Sequence, residues 1–136
     1  MKSSLTALVL CAFLFSPMQS NLRADEKGAD GAVHVKVDAA EKLVKEKKIT
    51  VLDVRTPDEF AEGHIAGAVN IDLLKGAEFE SKVKEMDKSK PYLVHCQSGG
   101  RSNRALAVFK KLGFEQIFHL DGGLGGWQAA GKPVEK

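Results

Sequence analysis

Short β-branched runs alternate with amphipathic stretches, and this alternation limits the chain to a parallel α/β architecture more than any other feature does. Residues 49–54 (ITVLDV) form a nearly continuous apolar run, the pattern of a strand covered on both faces. Residues 92–95 (YLVH) and 116–120 (QIFHL) repeat that character, 68–71 (AVNI) suggest a shorter strand, and Val33, Val35 and Val37 alternate as in an edge strand. Between them lie stretches with helical spacing. Asp38 can cap a helix over 38–47, with Ala40, Leu43 and Val44 on one face. Thr56-Pro57-Asp58-Glu59 supplies a capping box with proline at the first helical position, and Gly63 ends that helix. Residues 78–86 form a further helix, which Pro91 stops. A last helix over 102–112 turns Ala105, Leu106, Phe109 and Leu112 inward, and Gly113 is its left-handed cap. Residues 121–126 read as a glycine-rich turn, with a terminal turn around Trp127. The reading is one α/β domain, a parallel sheet with helices on both faces.

The first 24 residues stand apart. They contain no Asp or Glu, Lys2 opens them, and residues 5–15 (LTALVLCAFLF) are an apolar run of eleven, short of the roughly 20 that span a bilayer. A basic start, a short apolar stretch and a polar tail ending at Ala24 read as a secretory signal peptide, with an uncleaved anchor as the alternative. The expected organisation is signal peptide 1–24, lead-in 25–34 and domain 35–134, in a periplasmic or secreted protein with no membrane association after cleavage. Cleavage leaves equal numbers of acidic and basic residues and one cysteine, Cys96. A neutral chain lacks the basic face that nucleic-acid binding needs. A lone thiol in an exported protein is either buried and inert or reactive.

Cys96 falls where a strand meets a helix, the edge at which open parallel sheets bind ligands. Gln97, Ser98, Gly99 and Gly100 are small or flexible enough for their N–H groups to turn inward, and the helix beginning near Arg101 and Ser102 aims its positive dipole end at the same spot. Such donors stabilise a thiolate and lower the thiol pKa from its usual value of about 8.5. Arg101 adds a planar, permanently charged fork for an anion.

His95-Cys96-Gln97-Ser98-Gly99-Gly100-Arg101-Ser102 resembles the active-site loop of single-domain rhodaneses, the thiosulfate sulfurtransferases. Leu52-Asp53-Val54-Arg55, followed by Glu59-Phe60 and residues 63–71 (GHIAGAVNI), is similar to that family's N-terminal signature, and Leu120-Asp121-Gly122-Gly123 with Trp127 to its C-terminal one. The resemblance runs from about Val35 to Val134. It implies a small doubly wound, rhodanese-like domain whose cysteine becomes a persulfide and passes its outer sulfur to an acceptor.

Other marked residues are weighed against plainer roles. Asp53 and Arg55 end a buried strand on the active side, where they either tune the field around Cys96 or pair with neighbours to hold the loops; the second is preferred. His64 heads a Gly-flanked turn and is carried as an orienting hydrogen bonder rather than a proton shuttle. His34, His95 and His119 lie in strand patterns as packed or edge residues. Single histidines with one cysteine show no metal-ligand spacing, and no metal is expected. Trp127 reads as a core plug. The glycines at 122, 123, 125 and 126 lack the Lys-Ser/Thr of a phosphate loop.

The expected reaction runs in two displacements. Thiolate Cys96 attacks the outer sulfur of thiosulfate or a similar donor held by Arg101 and Ser102, and the persulfide, stabilised by the amides of 97–101, then passes to cyanide or a thiol, on a small molecule or a partner protein. No cofactor is expected. A cysteine phosphatase or arsenate reductase is the chemical rival, but its longer loop makes room for a tetrahedral oxyanion, whereas four residues separate Cys96 from Arg101. A non-enzymatic sulfur-carrying or docking module is the alternative from another class.

Overall fold

A computed structural model describes residues 27–136; residues 1–24, expected from the sequence to be a signal peptide, lie outside the described residues. Five strands, β1 (Ala32–Val35), β2 (Thr50–Asp53), β3 (Val69–Asn70), β4 (Pro91–His95) and β5 (Gln116–Leu120), form one sheet in the order β1-β5-β4-β2-β3. Every pairing is parallel. The expected α/β class is therefore observed. The helices are α1 (Val37–Lys45), α2 (Pro57–Glu62), α3 (Ala77–Lys84), α4 (Gly100–Leu112) and α5 (Gly123–Ala129). Among the described residues no helix is long and apolar enough to cross a membrane.

Strand side chains alternate between two cores, as a twice-covered sheet requires. Leu52, Tyr92, Val94 and Ile117 pack with Phe79 and Val83 of α3 and with Ala105, Leu106 and Phe109 of α4. Val51, Leu93 and Leu120 pack on the opposite side with Ala40 of α1 and with Leu124 and Trp127 of α5. Edge-to-face contacts join Phe79 to Phe109 at 6.2 Å, Phe109 to Phe114 at 5.1 Å and Phe114 to Tyr92 at 5.7 Å. Each such pair contributes about 0.5–1.5 kcal/mol beyond the area it buries.

Local chemistry explains most element ends. Thr56 accepts from the Glu59 N–H at 3.3 Å while the Glu59 carboxylate accepts from the Thr56 N–H at 3.0 Å, completing the capping box ahead of Pro57. Several elements differ from the sequence reading: Val37 opens α1 instead of extending the edge strand, α3 spans Ala77–Lys84 instead of 78–86, and α4 begins at Gly100 instead of Ser102. The N-cap of α1 is Lys36, not Asp38, which sits in the first turn where its charge favours the helix dipole. The edge strand begins at Ala32, inside the stretch read as lead-in. The glycine-rich turn and the turn around Trp127 are in fact a helix, α5, held by burial of Leu124 and Trp127 rather than by helix propensity.

All five strands run the same way, so Asp53, His95 and Leu120 end at one edge of the sheet. The chain leaves β2 for β3 on one side and β4 for β5 on the other. A crevice opens between the carboxyl ends of β2 and β4, the topological switch point.

Candidate active site

Cys96 follows β4 directly and its residue is 1% exposed. Gly99 takes φ +118°, a left-handed value that turns its N–H toward the sulfur; that N–H donates to Cys96 Sγ at 3.0 Å. The Ser102 hydroxyl lies 3.3 Å from the same sulfur. Burial pushes the Cys96 thiol up, but hydrogen bonds from the Ser102 hydroxyl and from the N–H groups of Ser102, Gly99 and Ser98 outweigh it and hold the pKa below its ordinary value. With the N-terminus of the thirteen-residue α4 behind them, these donors are built to carry negative charge on sulfur.

The two arginines are both engaged. The Arg101 guanidinium makes a two-pronged pair with Glu59, at 2.7 and 2.8 Å. Arg101 beside it holds the Glu59 carboxyl at about 2. Arg55 is buried and donates to both oxygens of Asp53, at 2.9, 3.0 and 2.7 Å, and to the Gly63 carbonyl at 2.8 Å. It thereby ties β2 to the turn that ends α2. Its remaining prong reaches the Gln97 amide oxygen at 3.5 Å.

A cavity of about 380 Å³ opens beside the loop, lined by Arg55, Glu59, Glu62, Gln97, Leu124 and others. Its size suits a small molecule or a short peptide tail.

His64 stands apart from Cys96. It stacks on Phe60 at 3.8 Å, its Nδ1–H donates to the Phe60 carbonyl at 2.8 Å, and its backbone exchanges two hydrogen bonds with Glu135. His95 is buried. Burial pushes its pKa down, and the neutral ring donates from Nδ1 to the Cys96 carbonyl at 2.9 Å.

Three contributors were not evident in the sequence. The first is the start of α5. The Leu124 and Gly125 N–H groups donate to the Cys96 and Gln97 carbonyls, both at 2.9 Å. Gly123 lies so close that an added Cβ would meet the Cys96 carbonyl oxygen at 2.6 Å. A glycine run at the ligand-binding edge of the sheet was the available signal. The second is Glu59, which serves the capping box and Arg101 at once. The third is His119, whose Nε2 lies 2.7 Å from the Ser102 hydroxyl. Only the pairing of distant segments reveals that contact.

The site thus brings together Cys96, Gln97, Ser98, Gly99, Gly100 and Ser102, with Asp53 and Arg55 buttressing the loop and Arg101 at its rim. It can stabilise a sulfur anion next to Gln97, which lines the small cavity, and a stabilised thiolate is the requirement for a sulfur nucleophile.

Comparison with known proteins agrees with this chemistry. Residues 36–130 match the rhodanese-like domain family. Thiosulfate sulfurtransferase GlpE of Coxiella burnetii is 37% identical over 87 residues, covering 64% of this chain and 78% of that protein. The Vibrio cholerae protein of the same name is 28% identical over 106 residues, covering 78% and 97%. The crystal structure of a rhodanese-related protein from Thermoplasma volcanium superposes with a TM-score of 0.67 at 33% identity, covering 75% of this chain and 96% of that one.

Proposed function

The chain belongs to the rhodanese-like domain family, and we propose on that premise that it is a sulfurtransferase that carries sulfane sulfur as a persulfide on Cys96. The observation that carries this reading is the set of donors converging on a buried Cys96 sulfur at the switch point of the sheet.

In the first step the Cys96 thiolate attacks the outer sulfur of thiosulfate. A bond forms between the two sulfurs, the sulfur–sulfur bond of the donor breaks, and its electron pair leaves with sulfite. Arg101 holds the donor's sulfonate in competition with Glu59, and Ser102 and the loop amides hold charge on the persulfide. In the second step cyanide or a thiolate attacks the outer sulfur, and the electron pair returns to Cys96. Both steps are displacements with no net redox change, so no cofactor is invoked. We further propose that the protein works outside the cytoplasm, on the strength of its first 24 residues, with a small thiol or a thiol-bearing partner protein as acceptor.

Steady-state kinetics test the scheme. Covalent catalysis in two half-reactions requires parallel double-reciprocal lines for thiosulfate and cyanide, with activity abolished in Cys96→Ala. Intersecting lines would contradict a persulfide intermediate. Turnover retained by Cys96→Ala would place the chemistry elsewhere, and no turnover by the native protein with any sulfur donor would favour a docking module.

A further inference from the structure

The pairing of β1 with β5 sets His34 directly opposite His119, and Asp121 follows one residue beyond β5. Their side chains converge on one point. Asp121 Oδ1 lies 2.8 Å from His34 Nδ1 and 3.1 Å from His119 Nδ1. The three donor atoms fall within 4.8 Å of one another.

We propose that His34, His119 and Asp121 form a binding site for a divalent transition-metal ion of the zinc class, beside the sulfur site.

The spacing fits such an ion. Ligands held about 2.0–2.1 Å from a metal lie about 2.9 Å apart at a right angle and about 3.3 Å apart at the tetrahedral angle. Of the two observed nitrogen–oxygen distances, 2.8 Å falls just below that range and 3.1 Å falls within it, so along these two edges an ion in place of the Nδ1 protons asks for a shift of a few tenths of an ångström at most. Two imidazoles and a carboxylate suit zinc or its borderline neighbours, whereas calcium and magnesium want oxygen donors alone.

The outer partners make a second and separate argument. A metal-binding histidine normally has its other ring nitrogen held by an oxygen, which fixes the ring and its tautomer. Both histidines meet that condition. His34 Nε2 lies 2.7 Å from Asp30 Oδ2, and His119 Nε2 lies 2.7 Å from Ser102 Oγ. Asp30 is fixed in turn, because its other oxygen accepts the Ala32 N–H at 3.0 Å.

The site is also reachable. The His34 and Asp121 side chains are 33% and 50% exposed, while that of His119 is 1% exposed and anchors the cluster. Three protein ligands with an open, solvent-facing position is the arrangement in which zinc retains a water.

The position ties the metal to the sulfur chemistry. An ion on His119 Nδ1 requires the neutral ring's one proton, otherwise donated from Nδ1 to Asp121, to move to Nε2, where it is donated to Ser102 Oγ. The Ser102 hydroxyl hydrogen then turns away from His119, toward Cys96 Sγ at 3.3 Å or the Gly99 carbonyl at 3.1 Å. One hydroxyl separates the proposed ion's ligand from the nucleophile.

The test is calorimetric titration of zinc chloride into untagged protein in which Cys11→Ser and Cys96→Ser remove competing thiols. The expected result is one equivalent bound. His34→Ala and Asp121→Asn should each weaken it by more than about tenfold, and Asp30→Asn by about tenfold through the outer partner. His34→Gln, which keeps a hydrogen-bonding side chain, should lose binding as His34→Ala does, and circular dichroism confirms that each variant folds. Absence of zinc binding, or binding unchanged in both His34 variants and in Asp121→Asn, would overturn the proposal.

Discussion

Replacing Gly123 with alanine should damage the sulfur site from a position whose own side chain touches no substrate. Gly123 has φ +58°, and its Cβ would lie 2.6 Å from the Cys96 carbonyl oxygen and 2.7 Å from the Gln97 carbonyl carbon and oxygen. The backbone conformation alone costs an L-residue about 1–2 kcal/mol. Backbone overlap adds about 1–3 kcal/mol, taken as strain or as displacement of the loop. If the loop yields, the Leu124 and Gly125 hydrogen bonds to it stretch as well, each with a net value of about 0.5–1.5 kcal/mol. The conformational and overlap costs alone come to about 2–5 kcal/mol, a fall in Tm of at least about 8 °C for a domain of this size, before any loss of those hydrogen bonds. Cys96 alkylation at neutral pH should slow as its donors move out of place. Gly113→Ala is the control: it carries φ +83° with nothing within 4 Å of the added Cβ, so it bears the conformational cost without the collision. That variant should lose about 1–2 kcal/mol of stability and alkylate at the native rate. Gly123→Ala with native stability and native alkylation would refute the clamp, and equal slowing in both variants would assign the effect to general destabilisation.

Removal of the Ser102 hydroxyl in Ser102→Ala takes one donor from the thiolate. Iodoacetamide trapping at neutral pH should slow by about tenfold, consistent with a charge-assisted hydrogen bond worth about 1.5–3 kcal/mol, and its pH profile should move upward. The Glu59 carboxyl is lowered from 4.5 to about 2 by Arg101, so its contribution is present above pH 4.5 and lost as pH falls toward 2. Solvent screening of the half-buried pair limits this to about 1 kcal/mol, so Glu59→Gln should lower stability by that amount at pH 7 and match the native protein at pH 2 in urea titrations. Asp53→Ala strands the buried Arg55 charge and should cost about 3–5 kcal/mol in chemical denaturation, far more than any surface ion pair in the chain.

What could be read from the sequence was what is local in it. The bounds of β5 match the run QIFHL because a strand covered on both faces leaves its apolar signature within five residues. The capping box at Thr56 was legible for the same reason, and so was the loop from Cys96 to Ser102, whose donors lie within six residues of the sulfur. Helix α5 was not. Three of the four glycines in residues 122–126 lie within the helix and argue against it at about 1 kcal/mol each relative to alanine, and tertiary burial of Leu124 and Trp127 overrides them. The partners of Arg101 and Ser102 were hidden for a different reason. Glu59 lies 42 residues from Arg101 and His119 lies 17 from Ser102, so only the folded sheet sets them side by side. His34 and His119 read as isolated strand residues until the register of β1 against β5 pairs them.

The most direct test of the account is the intact mass of the protein before and after incubation with thiosulfate, alongside Cys96→Ala. The account predicts a gain of one sulfur atom in the native protein, reversed by cyanide and absent from the variant. No gain with thiosulfate or with a polysulfide, or a gain that persists in Cys96→Ala, would contradict it.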